Sequence, residues 1–126
     1  MKKVKVFLGI KDNAFSEKLK KLSGNVEILE NTKGAELLFL DRISPNGFYG
    51  VRTRGVIVAS KYSRRKEFLA ARSGAKAFLT KDMTKTNLLK AIKVISNGEI
   101  WMTRIAIAGI FEEYVKMITP VRKGAS

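Results

Sequence analysis

The feature of this sequence that most constrains its fold is the alternation of short apolar runs with segments that carry helix signals. The apolar runs are residues 4–10 (VKVFLGI), 25–30 (NVEILE), 36–41 (ELLFLD), 56–60 (VIVAS) and 76–80 (KAFLT). Nearly continuous apolar runs of this length are typical of strands buried on both faces. Strands that alternate with helices predict βαβ units and a mostly parallel sheet, and therefore an α/β fold.

Four helices are predicted from apolar stripes and capping residues. In the first, Phe15, Leu19 and Leu22 recur at helical spacing, and Gly24 marks the end. The expected helices cover residues 12–22, 63–72, about 84–97 and 103–118, with caps at Asp12 or Asn13, at Ser63, at Thr84 or Thr86, and at Thr103.

Two connections between strands are too short or too rich in glycine for a helix. Residues 31–35 separate the second and third strands, whereas a crossover that contains a helix needs at least about 10–12 residues. The second strand therefore forms an edge hairpin with the third, or an extended link replaces the helix. Residues 42–55 contain Pro45 and several glycines, which favours a loop or a turn. Apolar sheet surface left open by missing helices predicts a dimer or a docking surface.

Composition excludes several kinds of chemistry. The 126 residues include no cysteine and no histidine, so cysteine-ligated metals and Ser-His-Asp catalysis are excluded, and we expect no enzyme. The net charge of +14 favours polyanions such as nucleic acid. A basic cluster around the fourth strand is a candidate for such contact; it contains Arg52, Arg54, Lys61, Arg64, Arg65 and Lys66. No signal peptide or membrane span is recognised, which predicts a cytoplasmic protein without a membrane partner.

Chemically useful side chains follow several of the predicted strands. Asp12 comes shortly after the first, Asp41 ends the third, Ser60 ends the fourth and Lys81 follows the fifth. In a parallel sheet the functional residues gather at the carboxyl ends of the strands, so these groups are expected near one edge.

The stretch GAKAFLTKDMTKTNLLKAIKVISNGEIW, residues 74–101, resembles the end of a receiver domain of bacterial two-component response regulators. It is most similar to the subgroup that carries a LuxR-type helix-turn-helix behind the receiver. The resemblance extends backward through VIVAS and LLFLD and, more faintly, VFLGIKDN, and covers residues 3–101. It implies a flavodoxin-like, five-stranded sheet, here with reduced helices between strands 2 and 3 and strands 3 and 4.

The resemblance also implies a role for each matching residue. Asp41 is the candidate phospho-acceptor, Ser60 and Lys81 are candidates to bind the phosphoryl group, and Phe78 is the candidate aromatic switch. A carboxylate nucleophile forms an acyl phosphate, and a lysine stabilises the charge that develops.

The sequence departs from this family at the acidic pair that holds Mg²⁺ after the first strand. An ungapped reading puts Ile10 and Lys11 there, and a shift of one residue puts Lys11 and Asp12 there. A lysine at this place repels Mg²⁺ and is expected to neutralise Asp41. We therefore predict no cofactor, with Asp12 and Asp41 as the weak candidates for a metal if phosphorylation does occur.

The last predicted helix lies where the resembling subgroup has its linker to DNA-binding domains. It places Ile107, Ile110, Phe111, Tyr114 and Ile118 near one stripe, which we interpret as an interface with a second subunit. The predicted organisation is a receiver-like domain (1–101), a linker or dimerisation helix (102–119) and a tail (120–126), with the DNA-binding domain covalently linked or separate.

The predicted function is a degenerate receiver domain of a transcriptional response regulator that acts through dimerisation or docking. An active phospho-receiver that uses Asp41 and partners a sensor kinase is one alternative. The other is a small basic module that binds nucleic acid directly, with an affinity that falls as salt rises.

Overall fold

The computed structural model describes residues 2–48 and 52–118. Its strands are β1 (Val4–Gly9), β2 (Val26–Leu29), β3 (Leu37–Leu40), β4 (Arg54–Ala59) and β5 (Ala77–Thr80). Its helices are α1 (Asn13–Lys20), α2 (Arg64–Arg72), α3 (Lys85–Ser96) and α4 (Arg104–Ile118). The strands form one parallel sheet in the order β2-β1-β3-β4-β5, which confirms the predicted α/β, flavodoxin-like fold.

The caps resolve two choices that the sequence left open. The side chain of Asp12, rather than that of Asn13, accepts a hydrogen bond from the backbone N–H of Phe15 at the start of α1. Thr84, rather than Thr86, caps α3 in the same way, and Ser63 caps α2 as predicted. In each case a side-chain oxygen pairs with an amide that the helix itself leaves unpaired.

The connection between β2 and β3 is a link without a helix, with a turn closed by the hydrogen bond from the Ala35 N–H to the carbonyl of Thr32, and β2 pairs in parallel with β1 rather than as a hairpin with β3. Each strand has four residues, so the link must run back about 13 Å along the strand axis. Because β1 lies between β2 and β3, the link must also cross two strand spacings, which makes the direct distance about 16 Å. Seven residues could reach about 24 Å if fully extended, so residues 30–36 cover this distance without a helix and with room for the turn.

One face of the sheet carries the larger core. Phe15 and Leu19 of α1 and Ile92 of α3 pack there against Phe39 and the other strand residues that point the same way. The rings of Phe15 and Phe39 lie 6.0 Å apart. Burial of this continuous apolar layer supplies most of the driving force for folding.

The opposite face has a smaller core, made where the connection between β3 and β4 contains no helix. Ile57, Ala59 and Phe78 pack under Ala70 of α2 and under Phe48, which comes from the loop after β3. The backbone N–H of Phe48 donates to the carbonyl of Ser73 at 2.7 Å and so fixes the loop to the end of α2. The described part of the 42–55 segment that precedes β4 thus forms turns rather than a helix, as predicted; residues 49–51 lie outside the described ranges.

After α3 the chain returns along the outer edge of β5 and then enters α4. The N–H of Trp101 donates to the carbonyl of Lys76, and its carbonyl accepts from Phe78, so residue 101 forms a parallel bridge with Ala77. Helix α4 then packs on α2, with Ala106 buried and Gly109 against Phe68. None of the helices in the described ranges has the length and apolar character to cross a bilayer. The predicted tail, 120–126, lies outside those ranges.

Candidate functional site

A cavity of about 340 Å³ opens at the carboxyl edge of the sheet, between the ends of β3, β4 and β5. Asp41, Ser60, Lys81 and Phe78 all line it. The four residues that the resemblance implied therefore lie around one cavity, because the parallel register brings the ends of neighbouring strands side by side. A carboxylate, a hydroxyl and an ammonium group face a common space there.

Asp12 belongs to the same edge, but its carboxylate already has partners. Its Oδ1 accepts the backbone hydrogen bond of Phe15 at 2.8 Å, and its Oδ2 lies 3.5 Å from Nζ of Lys81. The hydrogen bond from Phe15 and the ammonium of Lys81 hold the pKa of Asp12 below its usual value of 3.8. The ammonium of Lys81 is therefore already paired with the carboxylate of Asp12.

The positions after β1 do not fit a magnesium ion. Ile10 is buried in the core, Lys11 is exposed and cationic, and Asp12 is engaged by the helix cap and by Lys81. Mg²⁺ requires oxygen ligands in near-octahedral geometry, usually with one or two carboxylates. Within residues 2–48 and 52–118 no three acidic side chains are grouped as a metal site.

Asp41 has cations on both sides of its strand end. Nε of Arg42 lies 3.8 Å from its Oδ1, in an exposed and therefore weak ion pair. Lys11 and Asp41 both line an adjoining cavity of about 580 Å³. Arg42 is thus the cation in contact with Asp41, whereas the sequence had suggested Lys11 for that place.

A further lysine braces the loop that carries Lys81. Nζ of Lys18, in α1, donates to the carbonyl of Lys81 at 2.8 Å and to the carbonyl of Met83 at 2.6 Å. The ammonium satisfies two backbone acceptors between β5 and α3, and hydrogen bonds to a charged group are stronger than neutral ones. The loop is therefore fixed to α1 by a contact that no sequence pattern indicated.

The predicted basic cluster is divided between the two ends of β4. Arg54 begins the strand, and Lys61 follows it at the carboxyl edge, about 20 Å away for a six-residue strand. Lys66 and Arg42 line the Asp41 cavity, while Arg64 and Arg65 are exposed at the start of α2. Arg52 is exposed just before β4. The carboxyl edge of the described structure therefore carries most of these cations.

Helix α4 uses one face inside the molecule and leaves another exposed. The inner face has the small residues Ala106 and Gly109 together with the half-buried Ile110. Nε of Arg72 lies 3.5 Å from Oε1 of Glu113 and adds an ion pair between α2 and α4. The other four predicted interface residues are exposed: Ile107, Phe111, Tyr114 and Ile118. Helix α4 thus docks on its own subunit and still presents an apolar surface.

Glu67, which no sequence pattern indicated as functional, is 2% exposed in the first turn of α2. Its carboxylate accepts hydrogen bonds from the hydroxyl of Tyr62 and from the N–H and hydroxyl of Thr103. The contact with Glu67 raises the pKa of Tyr62. One signal was available, because Glu67 precedes the buried Ala70 by three residues and so shares its inward face.

Acidification is expected to weaken the contact between α1 and the loop after β5. Because the pKa of Asp12 is lower in the folded chain than in the unfolded chain, its carboxylate contributes fully to folding stability above about pH 3.8. This contribution is lost as the pH falls through the folded pKa. Asparagine also caps helices well, so Asp12→Asn removes the charge and leaves the cap. The melting temperature of the native chain should fall more steeply below pH 4 than that of the variant. Parallel curves would contradict the role of this charge.

The structure is thus a five-stranded parallel α/β sheet that carries an aspartate, a hydroxyl and a lysine at its carboxyl edge. No protein-family model matches the sequence, and no curated protein matches it either. Several solved structures do match it. The receiver domain of the putative response regulator NarL from Mycobacterium tuberculosis is 22% identical, with a TM-score of 0.61. The match covers 79% of this chain and 100% of that one.

Two further structures extend the likeness to regulators of the LuxR type. A LuxR family DNA-binding response regulator from Silicibacter pomeroyi is 19% identical, with a TM-score of 0.63 over 80% of this chain and 98% of that one. The RcsB response regulator of Salmonella typhimurium is 11% identical, with the same TM-score over 89% and 68%. The chain therefore has the fold of response-regulator receiver domains, including those of LuxR-type regulators.

Proposed function

We propose that this chain is a non-enzymatic regulatory domain of a transcriptional response regulator, and that it works without Mg²⁺-dependent phosphorylation. One observation carries the proposal: at the place where a receiver needs an acidic pair, the chain has the buried Ile10, the cationic Lys11 and an Asp12 already paired with Lys81. A divalent cation would have to displace an ammonium and overcome the charge of a second one.

In this proposal the output surface is the exposed side of α4, and its partner is a second copy of the chain. Four exposed apolar residues, Ile107, Phe111, Tyr114 and Ile118, recur at helical spacing on that side, and Phe111 is 66% exposed. The same helix on a second copy offers the same apolar strip along about 16 Å, so a two-fold axis can bring the two strips together. Burial in such a pair would remove these side chains from water.

The domain is proposed to act in the cytoplasm by positioning a DNA-binding domain, either linked to this chain or separate. Pairing of two receivers sets the spacing of the effector domains that they carry, and the two half-sites of a DNA operator mirror a protein two-fold axis. A sensor kinase enters only in the alternative in which Asp41 accepts a phosphoryl group.

Incubation with a small-molecule phosphodonor and Mg²⁺ is expected to leave the intact mass of the chain unchanged. The variant Asp41→Asn, which lacks the candidate acceptor, should give the same spectrum as the native chain. Titration calorimetry with Mg²⁺ is expected to show no saturable heat, because the donor set after β1 does not suit the ion.

A phosphoryl adduct that the native chain forms and the Asp41→Asn variant does not would overturn this proposal. The chain would then be an active receiver with an unusual metal site. A receiver with an intact acidic pair, treated in parallel, shows that the phosphodonor is active.

A further inference from the structure

Glu67 is the one charged side chain that the described part of the chain buries. Burial of a carboxylate is costly unless hydrogen bonds replace its water shell. Here Oε1 accepts from the Tyr62 hydroxyl at 2.7 Å and from the Thr103 hydroxyl at 2.6 Å, and Oε2 accepts from the Thr103 N–H at 2.8 Å. A carboxylate engaged by three hydrogen bonds holds its two partner residues, Tyr62 and Thr103, in fixed relative positions.

One end of this contact controls the entry into α4. The hydroxyl of Thr103 donates to Glu67 and also accepts from the N–H of Ala106 at 3.3 Å, in the first turn of the helix. Both oxygens of Glu67 therefore hold the residue that caps α4. Elsewhere the inner face of α4 has Ala106, Gly109 against Phe68, the half-buried Ile110 and one partly exposed ion pair, so the contact with Glu67 is the one that fixes the start of the helix.

The other end leads to the Asp41 cavity. Tyr62 lies two residues after Ser60 in the loop that follows β4, and its ring meets Phe78 edge to face with centroids 6.0 Å apart. Phe78 and Ser60 both line the cavity. A continuous set of contacts thus joins the cavity, Tyr62, Glu67 and Thr103.

We propose that Tyr62, Glu67 and Thr103, here named the Glu67 latch, transmit the position of the 60–62 loop to α4. With the latch closed, α4 is held on α2 in one orientation. A loop movement that withdraws the Tyr62 hydroxyl removes one hydrogen bond from the buried carboxylate and loosens its hold on Thr103. Coupling is reciprocal, so an altered position of α4 also shifts the loop. This inference rests on the proposed role of α4 as the output surface.

The test compares Tyr62→Phe and Glu67→Gln with the native chain by hydrogen exchange. Amides in the first two turns of α4 are expected to exchange about tenfold faster in Tyr62→Phe, the factor that one hydrogen bond to a charged group supports. Glu67→Gln should give an equal or larger factor. Amides of β3 and α3 should keep their rates, because the larger core lies on the other face of the sheet. Trp101, the single tryptophan, lines the same cavity as the latch and supplies a second readout by its fluorescence.

Glu30→Gln is the matched control for Glu67→Gln, since Glu30 is an exposed glutamate after β2, outside both the latch and α4. It should change neither the exchange rates nor the Trp101 emission. The proposal is overturned if Tyr62→Phe behaves like this control, or if every amide of the molecule accelerates equally, which would make Glu67 a general stabilising group. The exchange experiment is done at high dilution, where the chain is monomeric. A failure of α4 to self-associate would contradict the proposed function and would not affect the exchange result.

Discussion

Aspartate in place of Phe111 is expected to lower the dimer association constant about a thousandfold. The side chain is 66% exposed in the single subunit and stands at the middle of the exposed strip of α4, where a two-fold axis brings it near its own copy. Loss of a central aromatic anchor costs about 2 kcal/mol, and in a homodimer the loss occurs twice. The two new carboxylates also repel each other across the axis.

Sedimentation equilibrium over a range of protein concentrations measures this effect. The control is Lys85→Gln, which changes the net charge by the same amount at an exposed position that begins α3, on the other face of the sheet. The control should dimerise like the native chain, and both variants should melt like it. A native chain that stays monomeric, or a Phe111→Asp variant that dimerises normally, would refute α4 as a self-association surface.

Replacement of Phe48 by alanine is expected to destabilise the protein by about 3–5 kcal/mol, a large fraction of the stability of a domain of this size. The ring is 7% exposed and is the part of the loop after β3 that fills the smaller core. Gly55 in β4 makes room for it, because a Cβ atom at that position would overlap the Phe48 ring. Where a helix would otherwise cover this face, the loop thus packs one aromatic side chain, Phe48, against Gly55.

A double-mutant cycle tests this pairing by urea denaturation. Gly55→Ala alone should cost about 1–3 kcal/mol through overpacking. In the Phe48→Ala background the same substitution should be nearly neutral, because the overlapping ring is gone. Gly24→Ala, where a Cβ meets nothing within 4 Å, is the control for glycine replacement. An equal cost of Gly55→Ala in both backgrounds would show that Phe48 does not rest on this strand.

Much of the fold could be predicted because each element carries its own signals. The stripe of Phe15 and Leu19 and the short apolar runs predicted elements that the structure confirms. The length of residues 31–35 excluded a helix, but the choice between a hairpin and a link depends on long-range pairing with β1, which no local pattern encodes. Periodicity identifies elements more readily than it identifies their neighbours.

The site was predictable in part for the same reason. Asp41, Ser60 and Lys81 follow strands, and a parallel sheet brings strand ends together whatever the side chains do. Glu67 and Lys18 were missed because a charged residue on a helix is usually solvated, and all their partners except Tyr62 lie 36 to 65 positions away. Ala106 and Gly109 on the inner face of α4 were missed because large residues define a stripe, and Ile110, which the stripe included, lies half-buried on that same face.

The unequal covering of the two sheet faces has a consequence for how the molecule opens. One face is sealed by two helices over a continuous layer of fully buried side chains, while the other depends on α2, a loop aromatic and a helix held at its start. Native proteins open in cooperative units whose free energies differ, and the units with few buried contacts open first. The face that carries the smaller core therefore has the lower free energy of opening. Openings that expose α4 and the loop after β3 are therefore expected to recur many times while β1, β3 and their two helices stay closed.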